Sequence, residues 1–219
     1  MPTFRLTESQ QSNFAAVGAL ICWVSLSVQL YLSASRYIAA GHDLLYALTM
    51  YFGYFTILSN VFCGLVFTAY VKPLRGGTLG ALLRTPWMVS SATIAIVIVG
   101  VVYHFLLSGQ WQLEGLRWAM DRTHHYLVPS MALLFWWWVV PKGSLRWSDL
   151  PRLAMYPGAY LVYFFVRGEL IHHYPYFFMN VEKLGYAISF RNASGVVVFF
   201  FLISAIFISL KRSKPLATT

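Results

Sequence analysis

Charge is what this chain has least of. Asp, Glu, Lys and Arg together make up 11% of its 219 residues and hydrophobic residues 58%, too few charges to solvate a globular surface of that size. It also lacks a loop long enough to form a soluble domain, an internal repeat, a low-complexity segment and any soluble-cofactor motif. Only two cysteines are present, Cys22 and Cys63. Both fall inside apolar stretches, where they act as small apolar residues, and no disulfide between them is expected.

What is present is six apolar stretches that fill most of the chain, near Phe14–Leu32, Leu45–Val71, Met88–Leu107, His125–Val140, Leu153–Val166 and Ser194–Leu210. Runs of this length read as membrane spans. The expectation is an all-α, polytopic membrane protein, a single domain of residues 1–219 with six transmembrane helices. The fifth stretch is the shortest, and the second is long enough to tilt or to begin as an interfacial turn near Leu44. Arg5 before the first stretch and Ser33-Ala34-Ser35 after it imitate a signal peptide. Its apolar core is longer than a signal sequence needs, so it reads as a retained span.

Basic residues set the orientation. One side carries Arg5, Lys72, Arg75, Arg84, Lys142, Arg146, Arg152, Lys211, Arg212 and Lys214, ten in all, and the other carries Arg36, Arg117, Arg122, Arg167, Lys183 and Arg191, six in all. Both termini are therefore expected in the cytoplasm, with the protein in the inner (plasma) membrane if the chain is bacterial. This asymmetry and contact with anionic headgroups account for the net charge of +9, so the partners implied are membrane lipids and not nucleic acid. Oligomeric state is not legible.

All six histidines, His42, His104, His124, His125, His172 and His173, fall toward the outer side. An imidazole in an apolar span is costly and turns to the bundle interior or to a wet cavity. His104, between Val102-Tyr103 and Phe105, is the least easily explained as interfacial. In the second stretch Thr49, Gly53, Thr56, Asn60, Cys63 and Gly64 recur at helical spacing, either as a packing seam or as one wall of a polar cavity, with Thr56 placed near mid-helix. The fourth stretch opens Asp121-Arg122-Thr123-His124-His125-Tyr126-Leu127-Val128-Pro129. Asp121 stands one helical turn before both histidines, where its carboxylate can orient either ring. A hydroxyl, a histidine to take its proton and a carboxylate to hold the histidine are the parts of a nucleophilic hydrolase. Arg167 and Glu169 read as interfacial charges snorkelling outward, Tyr174-Pro175-Tyr176-Phe177-Phe178 as an aromatic loop over the outer mouth, and Trp136-Trp137-Trp138 as part of the inner aromatic belt. Asn192-Ala193-Ser194 matches a glycosylation sequon by chance.

The segments Tyr54-Phe55-Thr56-Ile57-Leu58-Ser59-Asn60, His125-Tyr126-Leu127-Val128-Pro129 and Tyr174-Pro175-Tyr176-Phe177, in that order, resemble a bacterial family of six-helix membrane proteins over nearly the whole chain. More distantly, on these short motifs and the helix count, the chain resembles the androgen-induced and androgen-dependent membrane proteins of animals, threonine hydrolases that cleave fatty acid esters of hydroxy fatty acids. That resemblance implies a threonine nucleophile at Thr56. The base is His125 by the bacterial spacing to Pro129 or His124 by the animal spacing, with His125 favoured. Asp121 would orient the ring. Asn60, Arg122, His104 and Tyr174 are the candidates for oxyanion or substrate contacts, and no cofactor is expected. Two other readings stay open: a metal-dependent lipid hydrolase using His104, His124 or His125, and His173 with Asp121, and a non-enzymatic lipid-binding or transport protein. The lack of a visible repeat or broken-helix pair weighs against transport.

Overall fold

The computed structural model describes residues 6–74, 76–110 and 112–212. Arg5, Arg75 and Lys214, counted above toward the orientation, lie outside the described residues. Among the described residues all regular structure is helical: α1 Glu8–Ala39, α2 Leu44–Tyr51, α3 Phe55–Tyr70, α4 Gly77–Leu83, α5 Pro86–Val102, α6 Gly115–Arg122, α7 Val128–Val139, α8 Leu150–Ile171 and α9 Val181–Lys211. Each of the six apolar stretches is helical over most of its length. Three helical runs are long and apolar enough to cross a membrane, Glu8–Ala39, Pro86–Leu107 and Val181–Lys211, and the bent α2–α3 pair makes a fourth if it counts as one span. Several helices of this kind are compatible with a membrane-embedded protein.

Local sequence sets the helix ends. Thr7 accepts from the Gln10 amide and the Gln10 side chain returns the bond, a reciprocal cap that starts α1. Asp43 caps α2 through the Tyr46 amide at 2.7 Å, Pro86 opens α5 and Asn180 caps α9 through the Lys183 amide. The fifth helix is longer than its apolar stretch because Pro151 can start it and Pro157 is tolerated within it. The chance sequon falls inside α9, where Asn192 Nδ2 donates to the Phe178 carbonyl.

α5 has no polar face. Ala92, Ile94, Ala95 and Ile96 are all buried, which only a helix enclosed by others satisfies, and α3, α7, α8 and α9 pack around it. α1 lies on α3 through small residues that let the backbones approach. A Cβ added at Gly18 would stand 2.9 Å from the Phe67 ring, and one at Gly64 would stand 3.2 Å from the Trp23 indole. Trp136 departs from the expected aromatic belt. It is wholly buried and its indole N–H donates to Ser90 Oγ at 2.8 Å, a partner that a lipid-facing position would not give. Its neighbour Trp137 is exposed.

The largest departure from expectation is in the second apolar stretch. It is not one helix: α2 and α3 meet at a bend of 79°, with Tyr54 extended between them. Thr56 therefore lies in the first turn of α3 and not at mid-helix. The cause is Arg167, which does not snorkel but is buried at 6% exposure. Its guanidinium donates to the Thr49 carbonyl at 2.8 and 3.2 Å and to the His173 carbonyl at 3.2 Å. A cation at the carbonyl end of α2 satisfies groups that a continuous helix would have bonded itself. Tyr160 and Tyr163 bond two carbonyls within the break, Gly53 at 2.9 Å and Phe52 at 3.3 Å.

Gly53 is required where the guanidinium passes, since a Cβ there would stand 2.6 Å from Arg167 Cζ, whereas a Cβ at Gly158 meets nothing within 4 Å. Gly53→Ala should therefore destabilise the purified protein by about 1–3 kcal/mol, and Gly158→Ala should not. Thermal unfolding in detergent checks this, and equal midpoints for the two variants would contradict the clamp.

Candidate active site

Thr56, His125 and Asp121 come together. Thr56 Oγ1 lies 3.5 Å from His125 Nε2. His125 Nδ1 lies 2.9 Å from the Asp121 carbonyl and 3.2 Å from Asp121 Oδ1. Both groups facing Nδ1 are acceptors, so Nδ1 carries the proton and Nε2 presents its lone pair to the threonine hydroxyl. Tyr103 completes the support. Its hydroxyl donates to Asp121 Oδ2 and its ring stacks on the His125 imidazole, centroids 3.8 Å apart at 15°.

Two π-helical turns build this arrangement. Tyr103–Leu107 extends α5, and Thr123–Leu127 joins α6 to α7. In the second, the Val128 amide reaches back to the Thr123 carbonyl. Pro129 cannot donate to the His125 carbonyl one turn earlier, so the ladder reopens at the histidines. That freed carbonyl sits against α5 where Gly100 leaves room: a Cβ at Gly100 would stand 2.9 Å from it. Adjacent in sequence, His124 and His125 leave the turn in different directions. His124 is 2% exposed and its Nε2 has no hydrogen-bond partner.

Thr56 sits where the amides of Phe55, Thr56 and Ile57 have no carbonyl one turn back to bond, at the positive end of α3. The Phe55 amide donates to the Tyr176 hydroxyl at 3.0 Å, which holds that phenol beside Thr56. A phenol held beside the Thr56 hydroxyl is the kind of donor that can stabilise an oxyanion. Asn60 is fully buried and donates to the carbonyls of Thr56 at 2.8 Å and His124 at 3.4 Å, so it ties the two backbones instead. Arg122 lies over the Trp118 and Tyr126 rings, at 5.7 and 5.4 Å. His104 is exposed and pairs with the Tyr126 hydroxyl at 3.2 Å. Tyr174 packs its ring on Gly168 and donates to Glu169. None of these four lines the cavities next to Thr56. Of the aromatic loop, the residue that lies beside Thr56 is Tyr176. Its position two residues past Tyr174 gave no sign of that without the Arg167 bond that seats the loop.

Thr56 opens on two cavities. One, of about 430 Å³, is polar and takes in Arg36, Arg117, Asp121, His124, His125 and His173. The other, of about 210 Å³, is almost wholly apolar and lies between α5, α8 and α9. Thr56, Leu107 and Tyr176 belong to both. His173, in the loop above, has its pKa lowered by burial and by the Arg167 charge, which favours the neutral ring at the mouth. Among the described residues, no three His, Cys, Asp or Glu side chains gather as a metal-ligand set, and the exposed His104 is not beside the other candidates.

Histidine reagents should read this geometry directly. Diethyl pyrocarbonate on the folded protein should modify the exposed His42, His104 and His172 and spare His124 until denaturation. Peptide mass spectrometry showing His124 modified as fast as His104 would contradict its burial.

No protein-family model, no curated protein and no solved structure matches this chain.

Proposed function

We propose that this protein is an intramembrane threonine hydrolase of lipid carboxylic esters, fatty acid esters of hydroxy fatty acids or similar molecules. It crosses the membrane six times, with both termini in the cytoplasm. The observation that carries the reading is the run of groups from Thr56 through His125 to Asp121. Thr56 Oγ attacks the ester carbonyl while His125 Nε2 takes its proton, and Asp121 holds the ring and offsets the charge that forms on it. The Tyr176 hydroxyl, held beside Thr56 by the Phe55 amide, is the donor for the developing oxyanion. Arg36 and Arg117 in the polar cavity suit a substrate whose alcohol portion ends in a carboxylate. No step needs a metal or a cofactor.

A second reading has one observation in its favour. The α2–α3 break supplies the discontinuous helix that transporters use for substrate, which the sequence did not reveal. The carbonyl end of that break, where a transported cation would sit, is already filled by the Arg167 guanidinium. Substrate movement without turnover would favour transport or lipid binding.

Four variants separate threonine chemistry from its rivals. Thr56→Ser keeps a hydroxyl and should retain activity, whereas Thr56→Val and His125→Ala should each lose about 10²–10⁴-fold. His124→Ala should be milder. Chelators should have little effect, and a phosphonate probe should label Thr56. An active Thr56→Val variant with stoichiometric bound zinc would sink the mechanism. If His124→Ala is dead and His125→Ala survives, the base was misassigned.

The orientation is tested by labelling. Both native cysteines are buried, so Ser148→Cys reports with little background. Reaction of that position with an impermeant maleimide from outside intact cells would reverse the topology.

A further inference from the structure

The two cavities meet at Thr56 but do not share the base. His125 and Asp121 line the polar cavity only, and the walls of the other are apolar apart from Thr56, Tyr160 and Tyr176, with the Tyr160 hydroxyl already bonded to the Gly53 carbonyl. In ester cleavage the histidine that took the nucleophile's proton must return it to the leaving oxygen. The leaving alcohol must therefore lie on the histidine's side. We propose that the apolar cavity between α5, α8 and α9 is an acyl-chain slot, which takes the unbranched fatty acyl group of the substrate while the alcohol portion occupies the polar cavity. The proposal rests on the threonine-hydrolase reading and deepens it.

The chemistry divides along the same line. Thr56 Oγ forms a bond to the carbonyl carbon and its proton passes to His125 Nε2. The carbon–oxygen bond to the alcohol then breaks, and the alkoxide leaves into the polar cavity with that proton. The acyl group stays on Thr56 with its chain in the slot until water, giving a proton to His125, attacks the carbonyl carbon; the carbon–Oγ bond to Thr56 breaks, Oγ regains the proton from His125, and the fatty acid is released. A slot without charge holds a chain by burial alone, so its length sets which chains fit.

Small residues on α8 keep the slot open. Ala154 and Gly158, one helical turn apart, both line it, facing Val197 and Phe200 of α9 and Val99 of α5. Gly158 is exposed at the open side of the slot that it lines, and a Cβ there touches nothing within 4 Å, so a side chain can be added at that edge without pressing on the fold. That makes Gly158 a length-determining position.

The test uses the full-length protein in detergent and p-nitrophenyl esters that share one alcohol, with butanoyl and hexadecanoyl chains. Gly158→Leu should lower the hexadecanoyl-to-butanoyl ratio of kcat/KM by about tenfold or more, and Ala154→Leu should act in the same direction. An unchanged ratio in a folded Gly158→Leu variant, with Thr56→Val inactive, would overturn the slot and leave the hydrolase standing. A second arm needs no turnover. Hexadecanoic acid carrying a mid-chain diazirine should crosslink to peptides covering 154–161 and 196–201. Crosslinks confined to 29–37, in the wall of the polar cavity, would overturn the assignment. If Thr56→Val hydrolyses esters like the parent, the hydrolase reading fails, and the crosslinks still decide whether the slot holds a chain.

Discussion

The bend between α2 and α3 depends on the Arg167 guanidinium, and the site depends on the bend. A helix broken inside an apolar bundle leaves carbonyls without partners, and each costs several kcal/mol if nothing replaces the lost bond. Arg167 donates to the carbonyls of Thr49 and His173, with Tyr160 and Tyr163 on the carbonyls between α2 and α3. The same cation thus fixes the end of α2 and the loop that carries Tyr176. Because the chain restarts at Phe55, Thr56 falls at the amide end of a new helix, and its hydroxyl stands among donors instead of midway along a bonded ladder.

The histidine side is built by a different device with the same outcome. Pro129 withholds one amide from the ladder, the π turn absorbs the extra residue, and Gly100 lets α5 approach the His125 carbonyl. Asn60 joins the two halves, since one amide group bonds the backbone under Thr56 and the backbone at His124. Thr56 and His125 thus both sit on irregular backbone, tied together by the buried Asn60 amide. Such backbone is tolerated at membrane depth where it is enclosed by protein or lines a cavity.

This division of labour also explains why the polar residues fall at one end of the bundle. The lower part is close-packed by size: Phe14 stacks on Phe135 with centroids 5.7 Å apart, and Phe67 fits over Gly18. Its buried polar groups are satisfied nearby, Ser12 by the Lys72 amide, Ser90 by the Trp136 indole and Lys211 by the Trp137 carbonyl. The upper part surrenders regular hydrogen bonding in three places and recovers it through Arg167, Asn60 and the tyrosines.

The sequence by itself determined the helical class and singled out Thr56, His125 and Asp121, which the structure brings together. Those follow from local quantities: apolar run length, the helical spacing of Asp121 to His125, and a proline close behind. It did not determine that the second stretch breaks, that Arg167 turns inward, that Trp136 is core, or that Tyr176 and not Tyr174 meets the site. Each of these is decided by a partner more than thirty residues away: Thr49 for Arg167, Ser90 for Trp136 and Phe55 for Tyr176. A polar side chain in an apolar helix announces that it needs a partner, but which one it finds is fixed only when the helices pack.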